Sequence, residues 1–472
     1  MTILVELNYA SSVSSPTQSV YFGINSFNVT GSTWADGRLM SPFKHKTSIK
    51  SWVQSDTSQT TIGDVKLANG DGELDYLLNK IGFIRVFRWP GSGGLGDEIA
   101  YAKVDKIVAD GEKHILIKLK NPLDELDVPL QTNVFPASEP SEGSGLSPAP
   151  TNYYYGMEGQ TRPLALGLCY NIQPFLANRA FNEYQCHDSE VFLVQNVYDN
   201  GISVSFTGHT KGFTLATDPN GTVVAKVIGG LNAGTNTQRV QYLIPEVMSR
   251  AGFSSYNSTD LTDLDTGYGY RYGYYQPAGT NQTALYVVKW VLDSSLFYMY
   301  AEPDGEIRFK AWEKPKITAD DEMDVRNVVG GINIFSDEAP NLTLSIGASK
   351  NWYVYNQDDI AFGATAQNKI DMAASHLSVW KSSTPIAYDT SKDVYDSLLR
   401  PSVDALAVSD RLADIYSVRR NFYAFDSTKD ASIGDTIELT YPRFGLETGK
   451  NLVVVGREID FINNTYRLTL WG

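Results

Sequence analysis

The chain is patterned in short apolar or alternating runs, each closed by glycine, asparagine or aspartate. Met1-Thr2-Ile3-Leu4-Val5-Glu6-Leu7 opens it as a strand. Val20-Tyr21-Phe22, Asp64-Val65-Lys66-Leu67, Ile84-Arg85-Val86-Phe87 and Ile115-Leu116-Ile117-Lys118-Leu119 follow. Between them stand Asn69-Gly70-Asp71-Gly72, Gly91-Ser92-Gly93-Gly94 and Ala109-Asp110-Gly111, whose residues favour turns and left-handed backbone. Short strands at this spacing predict a barrel or sandwich over residues 1–135.

Residues 136–152 break the pattern. The stretch PASEPSEGSGLSPAP at 136–150 offers no aromatic side chain to a core and predicts an extended linker. A second β domain is expected over 153–239, with strands at Glu190–Val194 and Val223–Val227 and a hairpin-type turn at Tyr198-Asp199-Asn200-Gly201. The period then changes to that of helices. Val240, Leu243, Ile244, Val247, Met248 and Ala251 recur every three or four residues, with Gly252 placed to stop the helix and Pro245 set inside it. Ala284, Leu285, Val288, Val291 and Leu292 predict a second helix, and Pro303-Asp304-Gly305 turns into a strand at Glu306–Lys310. These make an α+β domain over 240–330. The last region, 331–472, holds a helix near 401–420 and strands at Thr436–Leu439, Leu452–Val455 and Tyr466–Leu470, with Asn463-Asn464 as a tight turn. The fold class is therefore mainly β with α+β insertions, in several domains.

Composition sharpens this in two respects. At 472 residues the chain exceeds what one core serves, and its 39 Gly with 28 Tyr and 20 Phe suit strands and turns. The net charge of −15 gives no electrostatic footprint for a phosphate backbone. With two cysteines, Cys169 and Cys186, and no CxxC pair, small buried thiols made in a reducing cytoplasm are expected. The N-terminus has no signal-peptide pattern, and no apolar run reaches the length of a membrane span.

Candidate chemistry is sparse. Asp71, Glu73 and Asp75 alternate as in a calcium loop, but glycine falls where an EF-hand wants none, so a turn accounts for them better. Gly91–Gly96 fits GxGxxG, yet Lys120-Asn121 stand where a dinucleotide site places its acid. Cys186-His187-Asp188 sets a thiol beside an imidazole, and on a strand the two would face apart. The sequence thus assigns no catalytic, cofactor or metal residues. The richest remaining feature is Gly267 to Tyr275, whose Tyr268, Tyr270, Tyr272, Tyr274 and Tyr275 are candidate interface or glycan contacts, weighed against a loop packed on its own domain.

Several blocks, in order, resemble the tail-tip proteins of long-tailed, siphovirus-like bacteriophages. They are Gly63 to Asp75, Arg162–Gly167, Val197–Gly201, Arg250-Ala251-Gly252 and Pro303–Ile307. Closing the series are Gly434–Leu439, Tyr441-Pro442-Arg443-Phe444-Gly445-Leu446, Gly449-Lys450, Val455-Gly456 and Leu468–Gly472. The resemblance implies a baseplate hub related to the central hub of contractile-tail phages. Two β-barrel hub-type domains would flank the mixed middle region, the repeated Gly63-Asp64 and Gly434-Asp435 marking the pair. It further implies a homo-oligomer, a trimer, forming a ring that closes or extends the tail tube. Its partners would be a distal tail protein, tail fibres or a central spike, and the tape-measure protein. DNA would pass through the lumen without specific binding, and the tip would touch the host envelope. A virion tail-tip protein made in the bacterial host cytoplasm is the expectation, with no enzymatic activity. The alternatives are a receptor- or carbohydrate-binding tail protein and a cell-wall-degrading tail enzyme.

Overall fold

The computed structural model describes residues 2–12, 15, 17–49, 58–91, 94–135, 159–230, 238–336, 343–383, 391–416 and 418–472. The predicted linker at 136–152 lies outside them.

The first sheet has nine strands. Its order is Phe27–Thr30, Thr33–Asp36, Gln18–Gly23, Thr2–Ala10, Ile81–Trp89, Asp97–Ala109, His114–Lys120, Val65–Ala68 and Leu39–Ser41. Alternation in the opening strand explains its central place. Ile3, Val5, Leu7 and Tyr9 enter one apolar cluster, while Leu4 enters another on the opposite face. Glu6 on that second face is buried but ion-paired to Arg85 at 2.6 Å, and the Tyr21 hydroxyl donates to it at 3.0 Å. Burial of this carboxylate is tolerated because it is paired.

The predicted helices form as α1 (Val240–Arg250), α3 (Ala284–Asp293) and α5 (Ser402–Tyr416). Gly252 ends α1 at φ 69°, and the Phe253 N–H donates back to Met248 O at 3.0 Å. Two helices escaped the sequence pattern. The first is α2 (Ser258–Tyr268), capped by Asn257, whose apolar stripe is little more than Leu261 and Leu264. The second is α4 (Ala366–Ala373), which buries only Met372.

The middle region holds a five-stranded sheet, including Val191–Asp199, Val223–Gly229, Leu164–Ile172 and Gly273–Gln276, and a four-stranded one from Phe175 to Leu215. Helices α2 and α3 pack against the hairpin of Phe297–Ala301 with Ile307–Ala311, α1 lies against α2 and α3, and α5 lies on the strands Thr343–Lys350 and His376–Ser383. The last sheet orders Asp321–Met323, Thr436–Leu439, Lys450–Asp460, Thr465–Trp471, Asn421–Ser427 and Val328–Ser336.

The mainly β class therefore holds, with thirty-one strands against five α-helices among the described residues. Two closed barrels are not what the ladders describe: among the described residues each sheet has an open strand order. The cores also cut across the boundary expected at 330/331. One cluster runs from Val240 and Tyr272 through Ile346 and Leu412 to Leu470 and Trp471.

Candidate functional site

The first and last regions interlock, and that junction is the most distinctive site in the molecule. The antiparallel pair His45–Ile49 and Ser58–Ile62 leaves the first sheet and pairs with Lys450–Asp460, joining Ser48 to Gly456 and His45 to Ile459. On that same strand, Lys450–Val453 is taken by Thr436–Leu439. The hairpin thus satisfies backbone groups that the C-terminal sheet leaves unpaired. The exchange is reciprocal. Ile49 is buried in the large core, while Ile459 and Phe461 enter the core of the first sheet, where Phe461 meets Phe43 at 5.4 Å.

Polar groups fasten the junction. Arg457 pairs with Glu302 at 2.9 Å and with Asp430 at 2.6 Å. The Thr60 hydroxyl accepts from the Ala301 N–H at 3.2 Å. Tyr101 N–H donates to Pro303 O at 2.8 Å, tying the first sheet to the middle region. Beside them a cavity of about 200 Å³ is lined by Arg88, Ile99, Pro303, Asp430, Arg457 and Tyr466, among others. His45 is buried here, and desolvation followed by the Arg457 charge pushes its ring from 6.5 down to about 3. The imidazole is neutral at pH 7. Nothing in sequence periodicity announced the hairpin, because His45 to Ile49 alternates like any edge strand. Its partner lies some four hundred residues away.

The tyrosine stretch is placed differently from its reading as a contact surface. Tyr270, Tyr272, Tyr274 and Tyr275 are all buried. Alternation assigns them to two cores: Tyr270, Tyr272 and Tyr274 face the large one, and Tyr275 faces that of Cys169 and Phe213. Their hydroxyls are satisfied, Tyr272 donating to Ser295 Oγ at 2.7 Å and Tyr275 to Gln173 O at 2.7 Å. Tyr268, half-buried at the end of α2, has Arg411 over its ring at 4.2 Å and bonds Glu313. This corrects the interface or glycan assignment, since the rings serve as packing between sheets and helices. Glycine permits it: a Cβ on Gly273 would lie 1.8 Å from Leu168 O and 2.4 Å from Arg400 Nε. Arg400, fully enclosed, donates to Gly273 O and Lys350 O, each at 3.0 Å.

The remaining motifs are likewise structural in placement. Arg38 gathers Asp71 at 2.6 Å, Glu73 at 2.7 Å and Asp36 at 2.8 Å, and its hydrogen bonds hold the Asp71 carboxyl down to about 2. Asn69 and Asp75 bond one another at 2.7 Å. Cys186 and Cys169 share an apolar core, and burial pushes both thiols up, that of Cys169 to about 12. His187 faces Asp188 at 2.8 Å, and Asp188 also pairs with Arg250 at 3.0 Å. Burial works against the Asp188 charge, but those two partners outweigh it and hold the carboxyl well below its usual range. Among the described residues no three His, Cys, Asp or Glu side chains gather to hold a metal ion, and no helix is long and apolar enough to cross a membrane.

No protein-family model and no curated protein matches the chain. Among solved structures it is similar to a 43 kDa prophage tail protein from Shewanella oneidensis, with 9% identity, TM-score 0.43, and coverage of 100% of this chain and 98% of that one. It is similar to a prophage tail protein from Listeria monocytogenes at 8% identity and TM-score 0.42, covering 100% and 94%. A tail protein from Neisseria meningitidis matches at 7% identity and TM-score 0.35, covering 100% and 97%. Likenesses this remote leave the family unassigned.

Proposed function

We propose that this chain is a structural, non-catalytic baseplate hub at the distal end of a phage tail, three copies forming a ring around the bore. The observation that carries this reading is the reciprocal interlock of the first and last sheets. A ring protomer that presents two sheets to its neighbours must hold them at fixed spacing, and the shared hairpin with the Arg457 ion pairs provides that stiffness. Among the described residues both sheets have open edges, at Phe27–Thr30 and Leu39–Ser41 in one and at Asp321–Met323 and Val328–Ser336 in the other. Large apolar side chains stand exposed beside them, among them Trp34 at 62% and Phe335 at 50%. Such edges are places where another chain adds. The ordered sequence blocks, Gly63 to Asp75 and Gly434 to Gly472 above all, support the same role.

The tube-closing position, the tape-measure and fibre partners and the passage of DNA belong to this proposal. Electron microscopy of the purified protein tests it. Closed three-fold rings with a central opening are expected, and a field of single protomers at high concentration would overturn it. Turbidity of bacterial envelopes treated with the protein should stay unchanged, whereas clearing would favour a wall-degrading enzyme.

A further inference from the structure

We propose that the outward face of the strands Asp97–Ala109 and His114–Lys120 is a sequence-independent contact surface for the phosphate backbone of nucleic acid. The proposal does not depend on the copies closing into a ring.

The total charge of −15 conceals a local inversion on this face. The two strands pair antiparallel, with Lys103 opposite Lys120 and Lys106 opposite Lys118. Ile115, Ile117 and Leu119 turn to the core of the first sheet, so alternation sends His114, Leu116, Lys118 and Lys120 to the other side. On the neighbouring strand Ala100, Ala102, Val104 and Ile107 face the core, and a register shift between Val104 and Lys106 keeps both Lys103 and Lys106 outward. Lys66, opposite Leu116 on the next strand, joins the same face. Two of these lysines have acidic partners: Lys103 holds Glu125 at 2.6 Å, and Lys66 holds Asp110 at 2.7 Å. Among the described residues Lys106, Lys118 and Lys120 have no carboxylate within ion-pair distance, Asp105 at the bulge included.

Like charges set directly opposite one another in a ladder repel and lower stability. A polyanion laid along the face turns that repulsion into attraction. Opposite residues sit about 5 Å apart, and successive outward ones about 7 Å along a strand, a close and regular spacing that suits a chain of phosphates. A protein partner fits less well. Protein interfaces are depleted in lysine and anchored by aromatic and apolar groups, and no large apolar side chain of these two strands is exposed. Lysine meets phosphate as a point charge, which reads no base and lets nucleic acid slide.

Fluorescence anisotropy of a labelled DNA duplex of mixed sequence, titrated with the full chain, reads the contact. The wild type should bind in about 50 mM salt and lose about fortyfold in affinity by about 200 mM, the slope for three phosphate contacts. Lys118→Gln should cut that loss to about twelvefold, one contact fewer. Lys118→Glu, opposite Lys106, should weaken binding about tenfold or more yet raise the melting temperature, because a repelling pair becomes an attracting one. A lysine needed only for the fold would lower it instead. A wild type that leaves the duplex unbound in about 50 mM salt, or variants that bind like the wild type, would overturn the proposal while the ring reading stands. Labelled polyglutamate bound as tightly as the duplex would give the face to an acidic protein and overturn the nucleic-acid assignment.

Discussion

Two aromatic, glycine-bearing stretches lie in opposite circumstances. Tyr268 to Tyr275 is interior: four of its rings are buried, and its close approach to Leu168 and Arg400 requires Gly273. Tyr441 to Leu446 is exterior, with a strained Phe444 that stacks on neighbours in solvent. The first spends its aromatic surface within one chain, while the second leaves it largely in solvent. Richness in tyrosine and phenylalanine therefore does not locate a contact surface. Burial depends on whether the rest of the chain covers the rings and satisfies their hydroxyls.

Substitutions test this contrast. The largest effect is expected at Gly273, where Gly273→Ala forces a methyl group onto Leu168 O. Loss of soluble folded protein on expression is the expected result, and near-normal yield would show that the sheet can shift. Tyr272→Ala empties a fully buried site and should cost about 3–5 kcal/mol by denaturant unfolding. Acidification is next in size and acts at the junction. The folded His45 pKa is about 3 against an ordinary 6.5, so the unfolded chain binds a proton that the folded chain refuses. Stability from this group is complete above pH 6.5 and falls between 6.5 and 3, by about 1.4 kcal/mol per pH unit at the steepest. Comparing the wild type with His45→Gln between pH 6.5 and 4.5 isolates it, and equal slopes would refute the assignment. Smallest is Phe444→Ala, expected within about 0.5 kcal/mol of the wild type because the ring is on the surface. A loss above that would mean the loop is a folding element.

How much of this was legible beforehand follows from what is local. The strand at Thr2–Ala10, the α1 stop at Gly252 and the Asn200-Gly201 turn, with φ of 43° and 84°, are set by neighbouring residues and were readable. α2 was not, because two buried leucines in eleven residues make too thin a stripe. The tyrosine stretch shows the alternation of a buried strand, but exposure depends on what covers both faces. Here Tyr274 packs on Trp290 of α3 and on Trp352, while Tyr275 joins Cys186 and Phe213, and Trp352, Cys186 and Phe213 come from segments far along the chain. The hairpin at His45 depends on a partner near Gly456, and no local pattern records such a pairing. The Tyr441 block stood out in the sequence, but only the backbone angle and the stacking reveal it as a strained, exposed tip.

Ring closure by three copies is read out by native mass measurement across a dilution series. A three-fold ring appears as one discrete assembly at three times the 52.1 kDa of the chain, giving way to monomer on dilution. A monomer at every concentration, or an unbroken ladder of ever larger masses, would contradict it.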